Sequence, residues 1–144
     1  MSLDDFVNDL QAEIDSDALA AYGPEAFARW KKPLYMGPMP EADACGRVTG
    51  TCGDTIQVFL RVVDGRVAAA TFTTDGCGPS AICGSFAAEM SMGRKVEELV
   101  DFAGEAILER TGGLPEGDRH CAFLSAAAVR AAVDDYMARQ VKKP

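Results

Sequence analysis

The sequence has a single histidine, a single tryptophan, no Cys-x-x-Cys pair among its five cysteines, and only 14 Lys and Arg against 22 Asp and Glu. Each shortage removes a class of answers. With a net charge of −8 at pH 7, the chain has too little clustered cation to neutralise a phosphate backbone, so nucleic acid is excluded and a basic protein surface suits it better. No apolar run approaches the roughly 18 residues of a membrane span. The N-terminus, Met1-Ser2-Leu3-Asp4-Asp5, carries acid where a secretory signal carries base. The expectation is therefore a cytoplasmic protein without membrane contact. Thiols stay reduced there, and an odd number of unpaired cysteines points to metal binding or sulfur chemistry before disulfides.

What is present is an ordinary globular composition. The 144 residues are 48% hydrophobic and 25% charged, enough for one domain with a real core. Leu3, Phe6, Val7, Leu10 and Ile14 recur at helical spacing behind Ser2, a fitting N-cap, and Gly23-Pro24 breaks the run before a second short helix ending near Trp30. The apolar stripe suits core or a docking surface. Pro33, Gly37, Pro38 and Pro40 make the next stretch an extended loop.

From there the period changes to two. Ile56, Val58, Leu60 and Val62 alternate with Thr55, Gln57, Phe59 and Arg61, and Asp64-Gly65 turns this strand into a second over Arg66 to Thr74. That register pairs Val62 with Val67 and Leu60 with Ala69, and Gly46 to Thr51 reads as a third, edge strand. After Gly76-Cys77-Gly78 the pattern is helical: Pro79 opens a helix carrying Ile82, Phe86 and Met90, short segments follow around Val96 to Ala103 and Ile107-Leu108, and a last helix runs from about His120 to Gln140. Arg130/Asp134 and Asp135/Arg139 are spaced for ion pairs on its wet face. Strands followed by helices mean an α+β domain, a small three-stranded antiparallel sheet covered on one face by helices. Residues 1–32 read as a helical extension and 33–144 as the domain proper.

Three cysteines fall at element boundaries: Cys52 before the central strand, Cys77 at the strand-to-helix turn, Cys121 at the opening of the last helix. Ends of elements can converge on one edge of a domain. Gly53, Gly76 and Gly78 beside them allow close backbone approach and positive φ, and nearby helix N-termini favour thiolates at Cys77 and Cys121. Asp54 and His120 complete the group. Three thiolates with a carboxylate or imidazole suit tetrahedral zinc or an iron-sulfur cluster. Cys83, inside a helix, and Cys45, in the proline-rich approach, are left as bystanders.

In three motifs the chain resembles the U-type iron-sulfur cluster assembly scaffolds, the IscU/NifU N-terminal family. These are Gly50-Thr51-Cys52-Gly53-Asp54, then Thr74-Asp75-Gly76-Cys77-Gly78-Pro79-Ser80-Ala81-Ile82-Cys83-Gly84-Ser85, then Leu114-Pro115 with His120-Cys121 and the closing helix to Tyr136. The resemblance implies a SufE/NifU-like fold, and a role in which Cys52, Cys77 and Cys121 accept sulfur from a cysteine desulfurase as persulfide and, with iron, hold a transient [2Fe-2S] cluster passed on to recipient apoproteins. Asp54 then matches the aspartate that keeps the cluster labile and His120 an alternative ligand. Zinc fits the same pocket, a homodimer is compatible with it, and the desulfurase rather than this chain does the catalysis. The family's asparagine-rich motif appears here as Lys32-Pro33-Leu34-Tyr35, and its chaperone-recognition loop as Leu114-Pro115-Glu116-Gly117-Asp118. The match stops near Tyr136, so the carrier domains of full-length nitrogen-fixation scaffolds are not expected.

Two other readings compete. A zinc-dependent persulfide-accepting sulfurtransferase of the related type carries a sizeable insertion between its second and third cysteines, and the Cys77–Cys121 interval has no room for it. A purely structural zinc module uses four Cys or His ligands in close pairs, which this scattered set does not offer.

Overall fold

The computed structural model describes residues 2–76 and 78–142. Helix α1 (Leu3–Tyr22) begins where a capping box fixes it: the Ser2 hydroxyl accepts from the Asp5 N–H, and the Asp5 carboxylate accepts from the Ser2 N–H. Gly23 ends α1 and Pro24 starts α2 (Pro24–Lys31). Strands β1 (Ala44–Thr49), β2 (Thr55–Val63) and β3 (Arg66–Thr74) form one antiparallel sheet in the order β1-β2-β3. Then come α3 (Gly78–Ser91), a 3-10 turn at Val96–Leu99, α4 (Gly104–Thr111), a 3-10 turn at Glu116–Asp118, and α5 (His120–Lys142). This is the expected α+β architecture.

The β1 strand lies two residues earlier than the apolar pattern suggests, because residues 50–54 are used in a closed turn: Gly53 N–H donates to Gly50 O at 3.0 Å, and Gly50 N–H to Asp54 O at 2.9 Å. Cys45 accordingly sits half-buried in β1 rather than in the loop, its N–H donating to Asp135 of α5 at 3.0 Å. In the hairpin Asp64 and Gly65 both take positive φ, 53° and 78°, as a two-residue turn of matching twist demands. The register differs from the unbroken ladder by one residue. Val62 pairs with Val67 as expected, but Leu60 pairs with Ala70 and Arg61 with Ala69, leaving Ala68 as a bulge. Without that extra residue Thr71 and Thr73 would share the face of Val58 and Ile56. With it, Ala70 and Phe72 turn inward instead, and both are fully buried.

The inward face packs on α3 and α5, and glycine sets how closely. A Cβ at Gly46 of β1 would strike the backbone of Ala128 and Ala132 in α5, so strand and helix touch main chain to main chain. The outer edge of β3 is covered: Phe72 N–H donates to Tyr35 O, Gly37 N–H donates to Phe72 O, and Gly93 and Arg94 bond with Val67. The proline-rich loop is therefore an edge cover. Helix α2 is held by a buried arginine. Arg29 stacks its guanidinium on Phe86, 4.0 Å from the ring centroid, and donates to Ser85 Oγ at 3.2 Å and Glu89 at 2.7 Å. Of the two ion pairs expected on α5, Asp135/Arg139 forms at 3.0 Å, whereas Arg130 turns inward and donates to the Phe102 carbonyl.

Candidate functional site

Three chain segments meet at one end of the sheet: the β1–β2 turn with Cys52 and Asp54, the β3–α3 turn, and the start of α5 with His120 and Cys121. Antiparallel pairing brings the first two together. Asp75 accepts from the Thr55 N–H at 2.7 Å, and its own N–H donates to Thr55 O at 3.3 Å. The third is tied in by one side chain. Ser80, in the first turn of α3 and 1% exposed, donates its hydroxyl to Asp54 Oδ2 at 3.2 Å and lies 3.6 Å from Cys121 Sγ. Cys121 in turn stands 3.6 Å from His120 Nε2. Asp54, Cys121 and His120 are thus joined in a chain through an atom that the sequence pattern did not single out. Its signal was present all the same: Ser80 stands in the motif that follows Cys77, just after Pro79 at the opening of the helix.

The glycines serve close approach more than unusual torsion. Gly53 takes φ of +92°, but at Gly76 the need is space: a Cβ there would lie 2.6 Å from Ser80 Oγ and 2.8 Å from Asp54 Oδ2. A Cβ at Gly78 would strike the Trp30 indole. The lone tryptophan, on α2, therefore sets its Nε1–Cδ1 edge against the backbone of Gly78, a placement no local pattern signals. Cys77 itself lies outside the described residues.

Cys52 is exposed, in the turn that Leu124 of α5 supports from below. Cys121 is buried, and burial pushes its thiol up from the ordinary value. The Ser80 hydrogen bond pulls the other way, while Asp118, Asp54 and Cys52 add to the upward push. The expectation of a dipole-favoured thiolate at this helix start is thus overridden at Cys121 by desolvation and three acidic neighbours. Cys83 is fully buried, and its thiol is pushed far up by burial first and by Cys121 and Asp118 after it, so it is inert packing.

Among the described residues no three Cys, His, Asp or Glu side chains already form a metal-binding group. The donor set that does converge, thiol, carboxylate and imidazole, suits a soft ion or a sulfide-bridged iron pair better than a hard cation. Ser80 occupies one carboxylate oxygen of Asp54, and the other accepts no hydrogen bond from the described residues. No helix among the described residues is long and apolar enough to cross a membrane.

Residues 21–143 match the model of the NifU-like N terminal domain. The chain is 34% identical over 122 residues to "Iron-sulfur cluster assembly scaffold protein IscU 1" of Archaeoglobus fulgidus, covering 84% of this chain and 80% of that protein. It is 31% identical to "Iron-sulfur cluster assembly scaffold protein IscU" of Haemophilus influenzae, covering 83% and 98%. The crystal structure of the N-terminal part of a nitrogen-fixing NifU-like protein from Brucella abortus superimposes with a TM-score of 0.64 at 21% identity, over 87% of this chain and 99% of that one; at that identity the likeness shows the fold.

Proposed function

Since the chain belongs to the NifU-like N terminal domain family, we propose that it is a scaffold on which iron-sulfur clusters are assembled and from which they are handed to apoproteins. In this reading residues 33–144 are the scaffold domain and 1–32 a helical extension. The observation that carries it is the junction of Asp54, Ser80, Cys121 and His120 at one end of the sheet, with exposed Cys52 in the adjoining turn and a relative named as such a scaffold.

The chemistry asked of these residues is modest. A cysteine thiolate of the scaffold, from Cys121, Cys77 or Cys52, attacks the outer sulfur of a desulfurase persulfide. A new S–S bond forms at the scaffold, the old one breaks, and the desulfurase cysteine leaves as thiolate. Each persulfide sulfur leaves as sulfide on taking up two electrons, which regenerates the cysteine thiolate. Ferrous iron going to ferric supplies half of these electrons and excess thiol, itself oxidised to disulfide, the other half. Iron and sulfide thereby form the [2Fe-2S] cargo on Cys52, Cys77 and Cys121, with Asp54 or His120 completing the set. An oxygen ligand holds iron less firmly than sulfur does, and the Ser80 hydrogen bond draws charge from Asp54 besides, so the cluster is held loosely enough to leave. Zinc would compete for the same donors. Carbon-sulfur cleavage belongs to the desulfurase, and this chain catalyses none.

The test is anaerobic incubation with ferrous iron, cysteine and a cysteine desulfurase. A [2Fe-2S] absorption spectrum is expected, and Asp54→Ala should retain it for longer in the presence of a chelator. Folded protein that stays colourless overturns the reading.

A further inference from the structure

Among the described residues, helix α1 leaves an apolar stripe open to solvent. Leu3, Phe6, Val7, Leu10 and Ile14 fall within an arc of about 100° on the helix, yet Phe6 is 55%, Leu10 47% and Ile14 44% exposed. The same helix carries Asp4, Asp5, Asp9, Glu13, Asp15 and Asp17 and no Lys or Arg, so it accounts for −6 of the chain's net −8. Glu13 borders the stripe on one side and Asp4 on the other.

Yet the helix is ordered by devices of its own. The capping box fixes its start, Gln11 and Lys31 both donate to Asp15, and at its far end the Tyr22 hydroxyl donates to Asp118 Oδ2 at 3.1 Å. Asp118 lies two residues before His120. The following helix rests Trp30 on Gly78. The arm is therefore rooted beside two of the segments that form the candidate cluster site, through Asp118 near His120 and through Gly78. The stripe also precedes residue 21, where the family match begins.

We propose that α1 is a docking helix that seats its apolar stripe in a groove rimmed by Lys and Arg on the cysteine desulfurase. The helix-in-groove mode needs apolar anchors spaced three, four and seven residues apart, which Leu3, Phe6, Val7, Leu10 and Ile14 supply. The acidic borders require a basic rim and repel both an anionic bilayer and a second α1. Desulfurase is the partner because this rests on the scaffold reading: sulfur must arrive at the cysteines where the arm is rooted. The sulfur donor is met in every cycle, whereas recipients vary.

The experiment titrates the full chain with the desulfurase by calorimetry at about 0.05 and about 0.3 M NaCl, and in parallel loads each variant chemically with ferrous iron and sulfide. Phe6→Gln with Leu10→Gln should weaken binding at least tenfold, and Asp4→Asn with Glu13→Gln should weaken it while flattening the salt dependence. Both variants should take up chemically supplied cluster as the parent does. Affinity for desulfurase unchanged by Phe6→Gln/Leu10→Gln overturns the proposal. So does sedimentation showing that the parent is a dimer and this variant a monomer, or loss of binding only to phosphatidylcholine vesicles. Failure of the parent to hold cluster even when loaded chemically would overturn the scaffold reading instead, and the titration would still decide the docking surface.

Discussion

The Asp54–Ser80–Cys121 junction makes a prediction whose sign runs both ways. A serine has one hydroxyl proton, and Asp54 Oδ2 at 3.2 Å and Cys121 Sγ at 3.6 Å compete for it. Replacing Asp54 by Ala frees that proton to stabilise a Cys121 thiolate, and it removes a negative charge that pushes the thiol up. The two legs laid end to end bound the separation at about 7 Å, where one unit charge at a partly solvated site is worth about 1 kcal/mol. That is roughly a fivefold larger thiolate fraction at pH values below the thiol's own titration. Since the thiolate is the nucleophile, iodoacetamide should modify Cys121 about fivefold faster in Asp54→Ala than in the parent, both free of metal and read by peptide mass spectrometry near pH 8. Ser80→Ala should do the reverse: the hydrogen bond that lowers Cys121 is lost, and labelling slows and moves to higher pH. A Cys121 rate that is unchanged or lower in Asp54→Ala, or one that moves the same way in both variants, would refute the idea that Ser80 arbitrates between the two groups.

Two further outcomes test the packing beneath the site. Gly46→Ala pushes a methyl into the α5 backbone, which cannot move like a side chain, so a loss of about 3 kcal/mol is expected, seen as a fall of about 10 °C in thermal denaturation. Cys83→Ala should cost only about 1 kcal/mol and leave the yield of reconstituted cluster, read by absorbance, at the parental level; a colourless Cys83→Ala protein would move Cys83 from the core to the ligand set.

Much of the fold was readable because it is written in local periods. The capping box of α1, the Gly23-Pro24 break, the Asp64-Gly65 hairpin and the start of α5 at His120 all depend on residues within a few positions of one another. The bulge at Ala68 was not, because a period of two looks the same on either side of an inserted residue. What selects the register is that Phe72, and not Thr71 or Thr73, must be buried. Arg130 likewise satisfied the spacing rule for an ion pair with Asp134 but takes the Phe102 carbonyl, an alternative visible only once α5 is packed.

The candidate site divides along the same line. By itself the sequence determined which donors exist: five cysteines, three of them beside element ends, one histidine, and a carboxylate two residues from Cys52. It also placed most of the negative charge beside a stripe of apolar residues in one helix. Only the tertiary structure decided that Ser80 joins Asp54 to Cys121 and that Trp30 lies on Gly78. It alone left the stripe of α1 facing solvent while Arg29 of α2 is buried. Those are contacts between residues dozens of positions apart, and they are set by which surfaces exclude water together, a property of the packed chain that no short window of sequence carries.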